Sequence, residues 1–238
     1  MDAFAYCTLA SPDRSWRGQI GTRPRSRRGG VERARILESI WASEDPSECM
    51  CTFTPAKIWR FMIASDGHPV QHINLVTGKK VFLDVLEATN VEDDETLPEF
   101  VSDVRKPLCQ RQIVLKDETD NVLLYAASWW DRSRYEEIMG GENNVVVWEK
   151  ILTSKLEIAR RIEKFHFGYN DELEDIFGRR GPFWGREYCF KIGKVPMARF
   201  YEVFSPTLEK QLGEMTVPSD LGGDPVATWL ASKSRDVL

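Results

Sequence analysis

Arg111 stands inside QRQIVL, where glutamines at 110 and 112 alternate with Arg111, Ile113 and Leu115 at the two-residue period of a half-buried strand. With the glutamines toward solvent, that period turns the guanidinium inward, where it costs several kcal/mol unless an anion accompanies it. Glu202, in FYEVF, is the matching oddity, a carboxylate whose neighbours two positions away, Phe200 and Phe204, are both aromatic. Two readings stand side by side. The two charges neutralise each other, or one strand is solvated on both faces. Alternatively, they line a pocket in which Arg111 grips a ligand carboxylate and Glu202, its pKa raised among the aromatics, works as acid or base. Arg186, in FWGREYCF, adds a second positive charge at the same end of the sheet if it points inward.

Other residue groups carry less. His68 and His72 are four apart and Cys49 and Cys51 two apart. The histidines fall in a turn-then-strand context and the cysteines lack a second pair, so no metal site is expected. GxGxxG, P-loop, HExxH and nucleophile-elbow patterns are absent. Trp129, Trp130 and Trp184 read as core or lid packing, because no basic stripe accompanies them for nucleic acid.

The elements that must position these residues follow from periodicity and punctuation. VERARILESIWASEDP has a helical apolar face ending before Pro46, and KIWRFMIASDG is a mostly buried segment closed by a turn. HPVQHINLVTGKKVFLDVLEA alternates after a second turn at Thr77-Gly78, with a strand in KVFLDVLEA, and an acidic loop runs from Glu92 to Glu95. LCQRQIVLK and VLLYAASWW form a hairpin. Next come a short helix in DRSRYEEIMGGE, a long one in WEKILTSKLEIARRIEKFHFG and a third in DELEDIFG. A second hairpin, FWGREYCFKIG with KVPMARFYEVFSP, turns at Gly193. Short turns between consecutive strands favour an α+β antiparallel sheet over βαβ units.

The chain has 238 residues with 29% charged and 42% hydrophobic, too apolar for a disordered chain and too charged for a membrane protein. Residues 1 to 35 carry eight Arg against Asp2, Asp13 and Glu32, so a net charge of −5 hides a basic arm on an acidic body. The arm reads as a transit segment or a solvated tail, residues 36–213 as one domain and residues 214–238 as a loose tail. The acidic body argues against nucleic acid, and no run is long enough for membrane insertion. Five sparse cysteines favour a reducing compartment. Oligomeric state is left open.

Five blocks, SDGHPVQHINLVTG at 65–78, RQIVL at 111–115, YAASWW at 125–130, GPFWGREYCF at 181–190 and YEVFSPTLEKQLG at 201–213, together resemble the chorismate pyruvate-lyases of the cyanobacterial and plastid type, within the chorismate lyase-like superfamily. The resemblance covers about residues 52 to 213. It implies a single antiparallel sheet with packed helices and a flap-covered internal ligand site. It also implies cofactor-independent elimination of pyruvate from chorismate to give 4-hydroxybenzoate for plastoquinone or ubiquinone, in a plastid or the cytoplasm. On that pattern Arg111 holds the ring carboxylate and Glu202 faces the ring hydroxyl. Val147 touches the product, and Arg186 is structural or supports the second carboxylate. Ser128 stands where the better-studied bacterial enzyme has a second arginine. The rival expectation is a non-catalytic sensor of aromatic acids on the same fold.

Overall fold

The computed structural model describes residues 33–45, 57–91, 97–142, 145–154 and 156–215. The basic arm up to residue 32, Cys49, Cys51, the acidic run from Glu92 to Glu95 and the tail beyond Met215 lie outside them. Seven strands make one fully antiparallel sheet: β1 (Glu38–Ser43), β2 (Phe82–Val91), β3 (Leu108–Lys116), β4 (Val122–Asp131), β5 (Ile158–Tyr169), β6 (Phe183–Ile192) and β7 (Val195–Phe204), in the order β1-β5-β6-β7-β4-β3-β2. The helices are α1 (Lys57–Ala64), α2 (Pro69–Thr77), α3 (Arg132–Met139), α4 (Val147–Thr153), α5 (Asp171–Phe177) and α6 (Glu209–Leu212). The α+β expectation holds, as do both hairpins and the helices α3 and α5, each closed by a left-handed glycine, Gly140 or Gly178. None of the helices among the described residues is long and apolar enough to cross a membrane.

Both sheet faces are covered. One face carries two adjoining cores. In the first, Trp59, Met62 and Ile63 of α1, Ile73 of α2 and Leu212 of α6 pack on Leu115, Leu124 and Phe204. In the second, Tyr135 and Met139 of α3 and Val147 and Ile151 of α4 pack on Trp130, Tyr188, Phe190 and Phe200. On the other face Leu173 and Phe177 of α5, with Leu37 and Val101, cover Val114, Tyr125, Trp129, Tyr201 and Val203.

Four expectations fail, each for a physical reason. The helical face read in residues 31–46 is instead the edge strand β1, whose Ile40 and Trp41 pack on the sheet. Gly168 lets β1 close in, since a Cβ there would sit 2.2 Å from the Glu38 carbonyl oxygen. Residues 69–77 form a helix, not the strand expected in the turn-then-strand context of His68 and His72. Pro69 opens α2, His68 caps it through Nδ1, and Gly78 ends it at φ 66°. The long helix expected over 148–168 splits into α4 and β5. Ser154 Oγ accepts from Leu156 N at the break, and pairing with β1 and β6 overrides the helical spacing of the remainder. Gln110 and Gln112 are buried, not solvated. Trp129 Nε1 donates to Gln110 Oε1 at 2.9 Å, and Gln112 Oε1 accepts from Tyr125 Oη at 2.6 Å and from Arg35 Nη1 at 2.8 Å. Amide side chains can satisfy themselves under a cover that the strand pattern alone does not reveal.

Candidate active site

Period 2 puts Arg111, Ile113 and Leu115 of β3, Leu124, Ala126 and Ser128 of β4, Phe200 and Glu202 of β7, and Tyr188 and Phe190 of β6 on one face, where they floor a cavity between the two cores. Arg160 of β5 closes one end. His68, Pro69 and Val70 at the start of α2, and Val146, Val147 and Trp148 at the start of α4, form the roof. The empty volume between floor and roof, open solvent at the mouth included, is about 590 Å³. The lining is mostly apolar, and its charges are Arg111, Arg160 and Glu202.

Register sets the layout. Arg111, Ser128, Phe200 and Tyr188 form one cross-strand row, and Ala126, Glu202 and Arg186 form the next. Phe200 and Tyr188 stack face to face, with centroids 4.7 Å apart and planes 7° apart, so the two rings brace each other across the strands. Arg111 is 2% exposed, and its Nη2 donates to the Val145 carbonyl at 2.8 Å, which binds the loop before α4 to the pocket floor.

Glu202 does not pair with Arg111. Its Oε2 accepts from Arg186 Nε at 2.8 Å, its Oε1 accepts from Tyr188 Oη at 2.7 Å, and Arg160 Nη2 lies 3.8 Å from Oε2. Burial would raise the Glu202 pKa, but Arg186, Arg160 and the two hydrogen bonds outweigh it and the pKa falls below the ordinary value. The shift runs opposite to the raised pKa expected from its aromatic neighbours, because the two guanidinium groups and the Tyr188 hydroxyl favour the charged form. Arg186 is fully buried and stands behind Glu202 rather than in the cavity wall. Its Nη1 donates to the carbonyls of Met62, Ile63 and Ser65, the open C-terminal carbonyls of α1. One guanidinium thus fixes both the carboxylate and the helix that walls the first core. Val147 lies in the roof with Trp148, at the first turn of α4.

Two pocket residues escape sequence reasoning. His68, considered only as a metal ligand, accepts from Gln71 N through Nδ1, which leaves the proton of the neutral ring on Nε2. Burial lowers its pKa to about 4, with Arg160 and His72 adding to the effect against Glu202. It is a neutral donor in the roof. Arg160, hidden in the segment taken for a helix, sits over the Tyr188 ring with its guanidinium carbon 3.9 Å from the centroid. The two-residue period of IARRIEKF was its available signal. Groups of three or more metal-ligating side chains do not occur among the described residues.

The fold and the site define an antiparallel-sheet protein that carries, under helical cover, a mostly apolar pocket lined by Arg111, Arg160 and Glu202. The chain belongs to the family described as chorismate pyruvate-lyase Rv2949c-like, whose model matches residues 63–212. Among its relatives, the uncharacterized protein ycf21 of Porphyra purpurea is 29% identical over 152 residues, 64% of this chain and 83% of that protein. The ycf21 protein of Pyropia yezoensis is 28% identical with the same coverage. Among solved structures, PhnF from Mycobacterium smegmatis aligns with a TM-score of 0.49 at 12% identity, covering 66% of this chain and 70% of that one.

Proposed function

We propose that the protein removes pyruvate from chorismate to give 4-hydroxybenzoate. The observation that supports this reading is one cavity that brings Arg111 and Glu202, on adjacent cross-strand rows, into a mostly apolar lining. Arg111 would take the ring carboxylate, with the ring among the apolar side chains of the lining. Glu202, its charged form favoured, would accept a hydrogen bond from the ring hydroxyl rather than donate to the ether. Val147 would close the apolar roof above.

Chemistry of this kind needs little from side chains. The C3–O bond of the enolpyruvyl ether breaks, the C4 hydrogen leaves, and the ring becomes aromatic. The proton gained by the departing enol's methylene carbon makes pyruvate, so the atoms balance without a cofactor. The protein's part is to hold the substrate with the C4 hydrogen toward the leaving side chain, a positioning effect that can contribute several kcal/mol. Water exclusion by the roof protects the geometry. The product would enter the making of a quinone ring, in a plastid or the cytoplasm.

Incubation with chorismate tests the reading, with 4-hydroxybenzoate followed by chromatography and pyruvate by a coupled assay. Equal release of both above the uncatalysed rate is the expected result. Binding of 4-hydroxybenzoate with no turnover would overturn the lyase in favour of an aromatic-acid sensor.

A further inference from the structure

Arg160 has more donors than its protein contacts use. Nη1 donates to the carbonyls of Asp66 and Gly67 at 2.8 and 2.6 Å, which holds the loop between α1 and α2. Nε and Nη2 are buried and make no hydrogen bond within the protein, although the side chain is only 6% exposed. The 3.8 Å separation between Nη2 and Glu202 Oε2 is an ion-pair contact beyond hydrogen-bond length. A loop latch needs only Nη1. Leaving two further donors of a buried cation without acceptors is costly, unless a ligand supplies them.

Charge and position say which ligand atom. Among the described lining residues Glu202 is the one carboxylate, and Arg186 Nε and Tyr188 Oη already donate to it, so it leaves the Nε and Nη2 donors of Arg160 for a ligand carboxylate. Arg111 begins the row that runs through Ser128 and Phe200 to Tyr188, three strand spacings or roughly 14 Å along the sheet. Arg160 covers the Tyr188 end of that row. The two cations therefore flank one cross-strand row of the pocket from opposite ends, and Ser128 between them carries no charge.

We propose that Arg160 is the group that holds the second carboxylate of the substrate, the one on the departing three-carbon side chain. The inference rests on the lyase reading and goes beyond it. It assigns recognition of the leaving group to β5, and it couples that recognition to the 66–67 loop through the same guanidinium. A bound carboxylate on Nε and Nη2 would steady Arg160 against the loop, whereas the product, which lacks this carboxylate, would not.

The test compares two ligands on one set of variants. Chorismate carries both carboxylates and 4-hydroxybenzoate only the ring one. Arg160→Gln should raise the KM for chorismate at least tenfold while the Kd for 4-hydroxybenzoate changes less than about threefold, and Arg160→Lys should recover part of the loss. Circular dichroism and melting of each variant establish that it is folded. Equal weakening of both ligands by Arg160→Gln, or of neither, would overturn the proposal and leave the lyase reading intact. If the wild-type protein binds both ligands without turnover, and Arg160→Gln weakens only chorismate, the lyase falls and the assignment of Arg160 stands. Failure of the wild-type protein to bind either ligand overturns both.

Discussion

Residues 199 and 200 of β7 are neighbours in the chain and look to opposite faces of the sheet, and the two faces treat buried arginine in opposite ways. On the outer face Arg199 donates to both oxygens of Asp103, at 2.9 and 2.6 Å, and to Glu163. Burial alone would lower its pKa, but those hydrogen bonds carry it well above the ordinary value. On the pocket face Arg111, burial lowers the pKa and a backbone carbonyl accepts from the guanidinium. On the first face the guanidinium is held by side-chain carboxylates, and on the second it stands in the wall of a cavity, so the first bears on stability and the second on ligand binding.

The largest expected effect sharpens this contrast at the one closed pair inside the site. Arg186→Met leaves Glu202 with less compensation and strips three α1 carbonyls of their donor, so urea unfolding should show a loss of about 3–5 kcal/mol. Adding Glu202→Leu should restore much of it. An additive double loss would mean that the pair does not act as a unit. Arg111→Gln should weaken 4-hydroxybenzoate by about 10- to 100-fold, the worth of charged hydrogen bonds, with little change in unfolding. Calorimetric titration reads the binding, and unchanged affinity would remove Arg111 from the site.

A smaller effect is expected with pH. His68 titrates at about 4 in the folded protein, against an ordinary value of 6.5, so the unfolded chain binds a proton that the folded one refuses. Its contribution is complete above pH 6.5 and is lost as the pH falls through that window to about 4. His68→Asn, which keeps the helix cap, should flatten the stability profile there, and an unchanged profile would put the titration elsewhere. Smallest is Arg199→Gln, a partly exposed pair worth about 1 kcal/mol or less. It should leave ligand affinity untouched. Equal loss of binding from Arg199→Gln and Arg111→Gln would erase the distinction between the faces.

What could be read from the sequence depended on how local the cause was. Both hairpins and the glycine-terminated helices were legible because their signals are contained in ten or so residues. Arg111 and Glu202 stood out because an inward charge violates a strand's own pattern. The partners of Glu202 were less legible, Arg186 only as a second positive charge and Arg160 not at all, since both are placed by cross-strand register, as Glu202↔Arg186 and Phe190↔Arg160 show. The segment holding Arg160 has apolar spacing that fits helix and strand alike, and only the flanking strands decide between them. The same holds for β1, whose partner is far away in the chain.

That distance has a consequence for how the molecule is made. Ser39 of β1 meets His166 of β5 across 127 residues, so at ~5–20 residues per second a ribosome delivers the partner roughly 6–25 s after the first strand. Hairpins β3–β4 and β6–β7 close among near neighbours, while the first strand waits with open backbone edges. Its Ile40 and Trp41 make that wait a hazard. β1 is the natural last piece to dock, and the interval before it docks is when a nascent chain has most need of a chaperone.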